Sequence, residues 1–394
     1  MTDNLNHIRV LTVILTHERP EEFERCIRTA FSTLDPEDFV VVLDDSCPAL
    51  SRANAAILAE TGARFATRSC HIRADQLHAN VARALGAEML KWQLKTGRRD
   101  IAPLRNLSLL VSAATEPHTT VLIDDDVCGF DVRYAHELSN RVGTSEDGLI
   151  TGAVIGGFTD LDTVTRLSNA MEFLAKAVHD APISLVDLFQ APPTDDAGAN
   201  EFGCVSAGFM VFRLPPARLF AFPPGYNEDW LWCLLHRASG DTLVLRTDQV
   251  VLHRPLDLRH PSREDLLFEA AGDVIFDSIG KLVGKWRTPE SVIRKVPDIR
   301  LKPSVMPGAR AQAALTRFQS LAKNGHGRVL NDLKDHGLTL LQELLAAGEL
   351  ELGDKAALRA WSSDALAKHR SFRTTIETSA VLGAVREALI EERT

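Results

Sequence analysis

Nearly continuous runs of apolar, β-branched residues alternate with amphipathic segments in the first two thirds of the chain. Residues 8–15 and 39–43 are two such runs, and residues 21–34 between them have helical periodicity after Pro20. Apolar runs of this kind are typical of strands buried on both faces of a parallel sheet. Proline fits the first turn of a helix. The order strand, helix, strand therefore predicts a βαβ unit and an α/β fold.

The same patterns extend the prediction along the chain. Further helices are predicted at residues 52–60, 74–94, 105–114 and 228–237. Strands or strand-like segments are predicted at residues 63–67, 120–123, 149–158 and 204–214, with two short strands or a hairpin at 242–253. Residues 191–200, rich in Pro, Gly, Asp and Asn, are predicted to form a flexible loop.

The strand signal disappears after about residue 290, where amphipathic helices such as 339–347 and 380–391 are predicted. We therefore predict two regions. Residues 1–290 form a mostly parallel central sheet flanked by helices, and residues 291–394 form a helical C-terminal region.

Three of the predicted strands end in polar clusters, at residues 16–19, 44–46 and 124–126. Ligands of open α/β sheets bind beyond the carboxyl ends of the strands, so we expect these clusters to share one site. Asp124, Asp125 and Asp126 are adjacent carboxylates that repel one another, and a hard divalent cation would relieve this repulsion. Oxygen ligands suit Mg²⁺ or Mn²⁺. On these residues alone, the alternative is a solvated acidic turn.

Composition narrows the function classes. Lys plus Arg number 44 against 53 Asp plus Glu, a net charge of −9, which argues against a nucleic-acid or anionic-membrane binder. The 6 cysteines are scattered without a CxxC pair, which indicates reduced thiols. The first residues lack the features of a signal peptide, and no apolar run approaches the ~18 residues of a spanning helix. We expect a cytoplasmic protein with no membrane span.

The ordered segments LTVILTHERP, VVVLDDS, RN, LIDDDV, SAGFMVF and GYNEDWLW resemble those of nucleotide-sugar glycosyltransferases of the GT-A fold, most closely the large inverting family 2. The resemblance covers roughly residues 8–255. It implies a Rossmann-like domain that transfers a sugar, with inversion, from a nucleoside-diphosphate sugar. A UDP-sugar is the favoured donor, with Mn²⁺ or Mg²⁺ as cofactor. The acceptor class stays open among glycans, small molecules and peptides, and so does a homodimer.

The resemblance also implies roles for individual residues on the donor side. Thr16, His17 and Glu18 would border the nucleotide base. Asp44 or Asp45 would accept a hydrogen bond from a ring N–H or a ribose hydroxyl, since an ionised carboxylate is purely an acceptor.

The metal and diphosphate positions follow from the same resemblance. Asp124 and Asp126 match the DXD motif, in which the last carboxylate coordinates the metal and the first contacts ribose or metal-bound water. Asp125, between them, is assigned to the substrate without a more specific role. His253 resembles a third metal ligand. Arg105 would lie near the diphosphate, where a guanidinium can grip two oxygens.

Glu228 and Asp229 resemble the ED motif on the acceptor side. The resemblance implies that this carboxylate is the general base that removes the acceptor proton, with Asp229 the first choice and Glu228 the second. Trp230 and Trp232 either offer a stacking surface for a sugar or pack the helix.

Other enzyme classes fit the sequence less well. A sugar nucleotidyltransferase needs a glycine-rich loop after the first strand, where this chain has THERP, and no Walker loop is present. A haloacid-type phosphatase needs Thr or Val where Cys128 stands. The remaining alternative is a catalytically inactive nucleotide-sugar-binding or scaffold protein of the same fold, against which the presence of Asp126 and Asp229 argues.

Overall fold

The computed structural model describes most of the chain. The described residues are 5, 7–35, 37–65, 68–86, 101–133, 135–137, 148–156, 204–253, 262–322, 337–350 and 355–392. The loop predicted at 191–200 and the last residues of the helix predicted at 74–94 lie outside them.

An eight-stranded sheet forms the centre of the described fold, in the order β3-β2-β1-β4-β7-β6-β8-β5. The four strands β1 to β4 run parallel to one another. Strand β7 is antiparallel to β4 and β6, and β8 runs parallel to β6. The strands are β1 Val10–Thr16, β2 Phe39–Asp44, β3 Arg68–Arg73, β4 Thr119–Asp124, β5 Val127–Cys128, β6 Leu149–Gly156, β7 Phe209–Arg213 and β8 Thr242–His253. The predicted α/β fold with a mostly parallel sheet is confirmed.

Helices flank this sheet and make up the described part of the C-terminal region. In chain order they are α1 Pro20–Phe31, α2 Pro48–Phe65, α3 Ala74–Leu85, α4 Ala102–Thr115, α5 Glu228–Ala238, α6 Arg263–Gly280, α7 Pro289–Lys295, α8 Pro307–Ala322, α9 Thr339–Ala346, α10 Lys355–Glu377 and α11 Ser379–Glu391. The helices predicted after about residue 290 are therefore confirmed, while the division into two regions at that residue stays a prediction. Among the described helices, none is long and apolar enough to cross a membrane.

The first strand shows why the apolar runs form buried strands. Every residue of β1 is buried. Leu11 and Val13 belong to one hydrophobic core, and Val10 and Ile14 belong to the other. Successive side chains of a strand point to opposite faces, so a strand covered on both faces must be apolar at every position.

The C-terminal helices complete one of these two cores. Phe372 in α10 and Val385 and Leu389 in α11 share the core of Leu11 and Val13. Helix α11 packs against α3 and α4, and the Arg386 side chain donates a hydrogen bond to the carbonyl of Ala114 at the end of α4. The C-terminal helices are thus part of the same folded body as the sheet.

Two predicted elements are wrong. Residues 63–65 of the strand predicted at 63–67 belong to α2, which continues to Phe65, and the last two residues of that prediction lie outside the described residues. The two strands or hairpin predicted at 242–253 form a single strand, whose register with β6 shifts between Ala153 and Val154. Short apolar runs do not distinguish helix from strand by periodicity alone, and a register irregularity has the sequence signature of a turn.

Gly152 in β6 supplies a packing test of the sheet. A Cβ at this position would come within 2.2 Å of Val205 Cγ1 and 2.6 Å of the Phe209 carbonyl oxygen. Gly152→Ala is expected to destabilise the protein by about 1–3 kcal/mol in urea denaturation, because the core is overpacked. Gly383→Ala is the control: a Cβ there meets nothing within 4 Å, and replacing a mid-helix glycine should stabilise by about 0.5–1 kcal/mol. Equal effects of the two substitutions would contradict the packing argument.

Two buried histidines make stability depend on pH. Burial lowers the pKa of His236, against the raising effect of Asp241, whose Oδ2 lies 2.7 Å from His236 Nδ1. Burial also lowers the pKa of His369, against the raising effect of Glu290. Both rings contact Phe220.

The sign of this dependence follows from proton linkage. Each folded-state pKa lies below the ordinary value of 6.5, so the neutral imidazoles contribute stability above that pH, and this is lost as the pH falls through the folded pKa. The urea midpoint should fall between about pH 7.5 and about pH 5.5, and this fall is expected to be smaller in His369→Gln than in the wild type. The exposed His7→Gln should leave the slope as in the wild type. An unchanged slope in His369→Gln would refute this account.

Candidate active site

Three strand ends meet at one edge of the sheet, as the sequence predicts. In the parallel register, Thr16 of β1 lies opposite Asp44 of β2, and Leu15 lies opposite Asp124 of β4. The alignment continues past the strands, since Asp45 N donates to Thr16 O at 3.0 Å and Asp125 N donates to Leu15 O at 3.2 Å. The polar residues that follow each strand therefore form one surface.

The loop after β1 is tied to the loop after β2. His17 Nδ1 lies 3.0 Å from the carbonyl oxygen of Asp45, and Glu18 N donates to Ser46 Oγ at 2.7 Å. The side-chain carboxylate of Asp45, 3.5 Å from His17 Nδ1, raises the pKa of His17, although burial acts in the opposite direction. Glu18 has a φ of 55°, unusual for a residue other than glycine, and its side chain is exposed. His17 and Glu18 thus lie on the accessible part of this edge.

Asp44 and Asp45, the two alternatives for a ribose or base contact, have different surroundings. Both oxygens of Asp44 are engaged inside the protein: Oδ1 accepts from Ser46 N at 2.8 Å, and Oδ2 lies 2.8 Å from His71 Nε2 and 3.1 Å from Asn54 Nδ2. Burial raises the pKa of Asp44, but the hydrogen bonds from His71 and Ser46 outweigh it and lower the pKa.

The carboxylate of Asp45 is 18% exposed, whereas that of Asp44 is fully buried. Asp44 therefore shapes the turn after β2, and Asp45 is the member of the pair that a ligand can reach.

Asp125 faces the protein interior. Its Oδ2 accepts from Thr16 Oγ1 at 2.8 Å and from His17 N at 3.3 Å. Burial raises its pKa to about 7, even though the nearby Arg19 favours the ionised form. The structure therefore places Asp125 as the tie between the ends of β4 and β1.

Asp126 is covered by Arg19, to which the sequence assigned no role. Arg19 Nη1 donates to Asp126 Oδ2 and lies 3.5 Å from Asp125 Oδ1. Burial lowers the pKa of Arg19, but Asp125 and Asp126 outweigh it and raise the pKa further above its ordinary value. The signal in the sequence was the position of Arg19 in the first polar cluster, but the partner of this arginine is 107 residues away along the chain.

Arg105 is the buried centre of the site. It is 4% exposed, and its two terminal nitrogens reach carboxylates from two elements. Nη2 lies 3.1 Å from Asp124 Oδ2 on β4, while Nη1 donates to Glu228 Oε1 at the start of α5 and lies 3.6 Å from Asp229 Oδ2. Burial lowers the pKa of Arg105, but Glu228, Asp124 and Asp229 outweigh it and raise the pKa. Arg105 thus joins the end of β4 to the start of α5.

Asp229 is oriented by backbone hydrogen bonds. Its Oδ2 accepts from Ala207 N and its Oδ1 accepts from Trp230 N, both at 2.8 Å. An ionised carboxylate offers about four acceptor positions, so Asp229 can still accept a further hydrogen bond. Glu228 is more deeply buried and is committed to Arg105. Of these two carboxylates, Asp229 is therefore the more accessible.

Both tryptophans of α5 pack against other aromatic side chains. Trp232 is fully buried, donates to Phe220 O at 2.8 Å and stacks on Phe222, with ring centroids 4.8 Å apart. It therefore packs the helix. Trp230 is half-buried against Phe276, with ring centroids 5.4 Å apart.

The segment that leads into α5 is held from two sides. Asn106 in α4 brackets the backbone of Phe222, with Oδ1 accepting from its N–H at 2.7 Å and Nδ2 donating to its carbonyl at 3.3 Å. Trp361 in α10 donates from Nε1 to the carbonyl of Pro224 at 2.7 Å. A residue of the C-terminal region therefore contacts the segment that positions Asp229.

A second contact of this kind lies at the residue before α5. Asn227 has a φ of 59° and donates from Nδ2 to Asp273 Oδ1 in α6 at 2.9 Å. Arg310 in α8 contacts Asp273 Oδ2 at 3.3 Å and Asp277 at 2.7 Å. Helices α6 and α8 thus fix the left-handed residue from which α5 begins.

The position of His253 is known from the strand register. Its Cα lies opposite Val127, the residue after Asp126, in the antiparallel pair of β8 and β5. The sheet thereby brings His253 next to the aspartate cluster.

The carboxylates of the site fit a hard divalent cation whose remaining ligands are phosphate oxygens and water. Among the described residues, no group of three or more His, Cys, Asp or Glu side chains is arranged as a metal site. Magnesium-type sites commonly use one or two carboxylates and complete their coordination with substrate phosphates and water. The site's carboxylates, moreover, outnumber its guanidinium groups: Asp124, Asp125, Asp126, Glu228 and Asp229 face Arg19 and Arg105. Such an excess of negative charge favours binding of a cation.

Comparisons with known proteins return solved structures only. No family model matches the chain, and no curated protein matches it. Glucosyl-3-phosphoglycerate synthase from Mycobacterium tuberculosis, in complex with Mn²⁺, UDP-glucose and phosphoglyceric acid, is 17% identical with a TM-score of 0.38, over 64% of this chain and 74% of that one. The mannosyltransferase PcManGT from Pyrobaculum calidifontis, in complex with GDP-Man and Mn²⁺, is 14% identical with a TM-score of 0.37, over 97% and 87%.

With TM-scores below 0.5, this similarity by itself assigns no substrate or mechanism to the chain. The assignment of function depends on the side chains described above.

Arg105 gives a direct test of the site's architecture. Arg105→Met should destabilise the protein by about 3–5 kcal/mol in urea denaturation, because Glu228 and Asp124 lose the cation that compensates their burial. Arg105→Lys, which retains the charge but has a single terminal nitrogen, should fall between Met and the wild type. Arg133→Met, which removes an exposed pair with Asp131, serves as the control and should leave the midpoint unchanged. An Arg105→Met protein as stable as this control would contradict the bridging role.

Proposed function

We propose that this protein is a metal-dependent glycosyltransferase that moves a sugar from a nucleoside-diphosphate sugar to an acceptor. One observation carries the proposal. Arg105 contacts Asp124 on β4 as well as Glu228 and Asp229 on α5, so the carboxylates assigned to the donor and to the acceptor lie within reach of one guanidinium. A transferase needs this closeness, because the acceptor oxygen must approach the sugar carbon that leaves the diphosphate.

On the donor side, His17, Glu18 and Asp45 would border the base and ribose. The hydrogen bond between the side chains of Thr16 and Asp125 would fix the backbone next to these residues. Asp126, with His253, would hold the cation, and Asp124 would contact the ribose or metal-bound water. When bound, Mn²⁺ or Mg²⁺ would neutralise charge on the departing diphosphate.

Arg105 takes a different role from the one first expected of it. Both of its terminal nitrogens are engaged by carboxylates of the protein, and the residue is buried. We infer that Arg105 positions Asp124 and Glu228 and acts on the diphosphate through the residues it holds.

On the acceptor side, Asp229 would act as the general base. Its backbone hydrogen bonds fix the carboxylate, and its remaining acceptor positions can receive the proton of an acceptor hydroxyl. A base that deprotonates the attacking hydroxyl suits a single displacement, so inversion is the stereochemical course that we propose. The cytoplasmic location, the homodimer and the preference for a UDP-sugar stay predictions.

The proposal is tested by calorimetric titration with UDP and GDP, each with and without Mn²⁺. A nucleoside diphosphate should bind in the presence of metal, and Asp126→Asn should weaken this binding about tenfold or more, since one ligand charge is lost. Asp229→Asn should leave that affinity unchanged. It should, however, slow release of nucleoside diphosphate from the matching donor sugar by about 10²–10⁴-fold, water serving as acceptor.

Each alternative has its own outcome. Failure of UDP and of GDP to bind under all conditions would show that the proposed function is wrong. Binding of donor without any hydrolysis or transfer would favour the inactive binding or scaffold protein. Equal loss of donor affinity and turnover in Asp229→Asn would give Asp229 a structural role.

A further inference from the structure

The guanidinium of Arg19 occupies the carboxylate that would bind the metal. Arg19 Nη1 donates to Asp126 Oδ2, and the Asp126 side chain is only 8% exposed beneath it. A divalent cation bound to the same carboxylate would be repelled by this guanidinium, because both are positive and lie within a few ångströms of each other. Metal binding at Asp126 is therefore disfavoured while this ion pair is closed, and at Oδ2 it requires the pair to open.

The structure allows the side chain of Arg19 to move while its backbone stays in place. The Arg19 carbonyl accepts from Phe23 N at 2.9 Å, and Pro20 follows at the first turn of α1. The side chain itself is 24% exposed. Asp125, 3.5 Å away and held by Thr16, offers a second carboxylate to Arg19 after it leaves Asp126.

Arg19 and Arg105 thus differ in kind. Arg105 is buried and contacts three carboxylates from two elements. Arg19 lies on a loop at the accessible edge and contacts only carboxylates of the aspartate cluster among the ion pairs found for it. The first arrangement is a fixed part of the site, and the second can be exchanged for another cation.

On the basis of the proposed function, we propose that Arg19 is a built-in counterion that competes with the metal for Asp126. In the donor-free protein it compensates the aspartate cluster and keeps the affinity for a divalent cation low. When a nucleoside diphosphate arrives with its metal, the phosphates supply new negative charge for the displaced guanidinium. The cation therefore binds together with the donor rather than before it.

The test is a titration of the donor-free protein with Mn²⁺, with free Mn²⁺ followed by electron paramagnetic resonance. Arg19→Gln is expected to bind Mn²⁺ about tenfold more tightly than the wild type, because a charge-assisted hydrogen bond no longer has to be broken. Arg19→Lys should lie between them. Arg28→Gln is the matched control: it removes an exposed arginine of α1 that pairs with Glu24, and its Mn²⁺ affinity should equal that of the wild type.

A second arm repeats the titration with saturating UDP and with saturating GDP. With the nucleotide that binds, the difference in Mn²⁺ affinity between Arg19→Gln and the wild type should shrink at least severalfold. In the wild type the phosphates pair with the displaced guanidinium, and the variant lacks this favourable contact. Circular dichroism and the urea midpoint of each variant establish that it is folded.

The outcomes separate the inference from the function on which it rests. If the wild type binds Mn²⁺ and nucleotide through Asp126, but Arg19→Gln binds Mn²⁺ no more tightly than the wild type without nucleotide, the counterion role is wrong and the glycosyltransferase proposal stands. A gain in Arg28→Gln as large as in Arg19→Gln would also overturn it, as a general charge effect. If no variant binds Mn²⁺ with or without nucleotide, both proposals fail.

Discussion

The candidate site depends on the ion pairs that the buried guanidinium of Arg105 forms with surrounding carboxylates. Five carboxylates converge where β4 ends and α5 begins, and such a cluster would not be stable in a folded protein without compensation. Arg105, in α4, compensates three of them, because its guanidinium contacts Asp124, Glu228 and Asp229 together. The relative position of the carboxylates on β4 and α5 is therefore set by one side chain with a rigid, planar geometry.

Positive charge is distributed at this site according to depth. The deep cation, Arg105, cannot leave without exposing buried carboxylates to an apolar environment, so it is structural. The shallow cation, Arg19, is partly exposed to solvent. Under our proposal it can leave because a metal ion takes its place at Asp126 and a substrate phosphate becomes its new partner.

The C-terminal helices have a part in the site although they carry none of the carboxylates assigned to it. Trp361 holds the carbonyl of Pro224, and Arg310 supports Asp273, which in turn fixes Asn227 at the start of α5. These contacts hold the segment before Asp229. The region with no chemical motif in its sequence therefore restricts where Asp229 can lie, and the general base that we propose would need such precise placement.

Much of this protein was determined by local sequence. The apolar runs at β1, β2 and β4 must be buried on both faces, and parallel strands necessarily bring their carboxyl ends to one edge, so the α/β fold and the meeting of residues 16–19, 44–46 and 124–126 could be predicted. The end of α2 and the single strand β8 could not, because short apolar segments carry no unambiguous period.

Tertiary structure alone decided the electrostatic roles. Arg19 pairs with a carboxylate 107 residues away and Arg105 with one 123 residues away, and no local pattern records such separations. The same holds for Asp44 and Asp45, neighbours in sequence of which one is enclosed by Asn54 and His71 and the other reaches solvent. The sequence determines which residue types stand at the strand ends. Burial and long-range pairing determine which of them hold the structure and which are left for a ligand, because the free energy of a charge depends on its surroundings rather than on its neighbours along the chain.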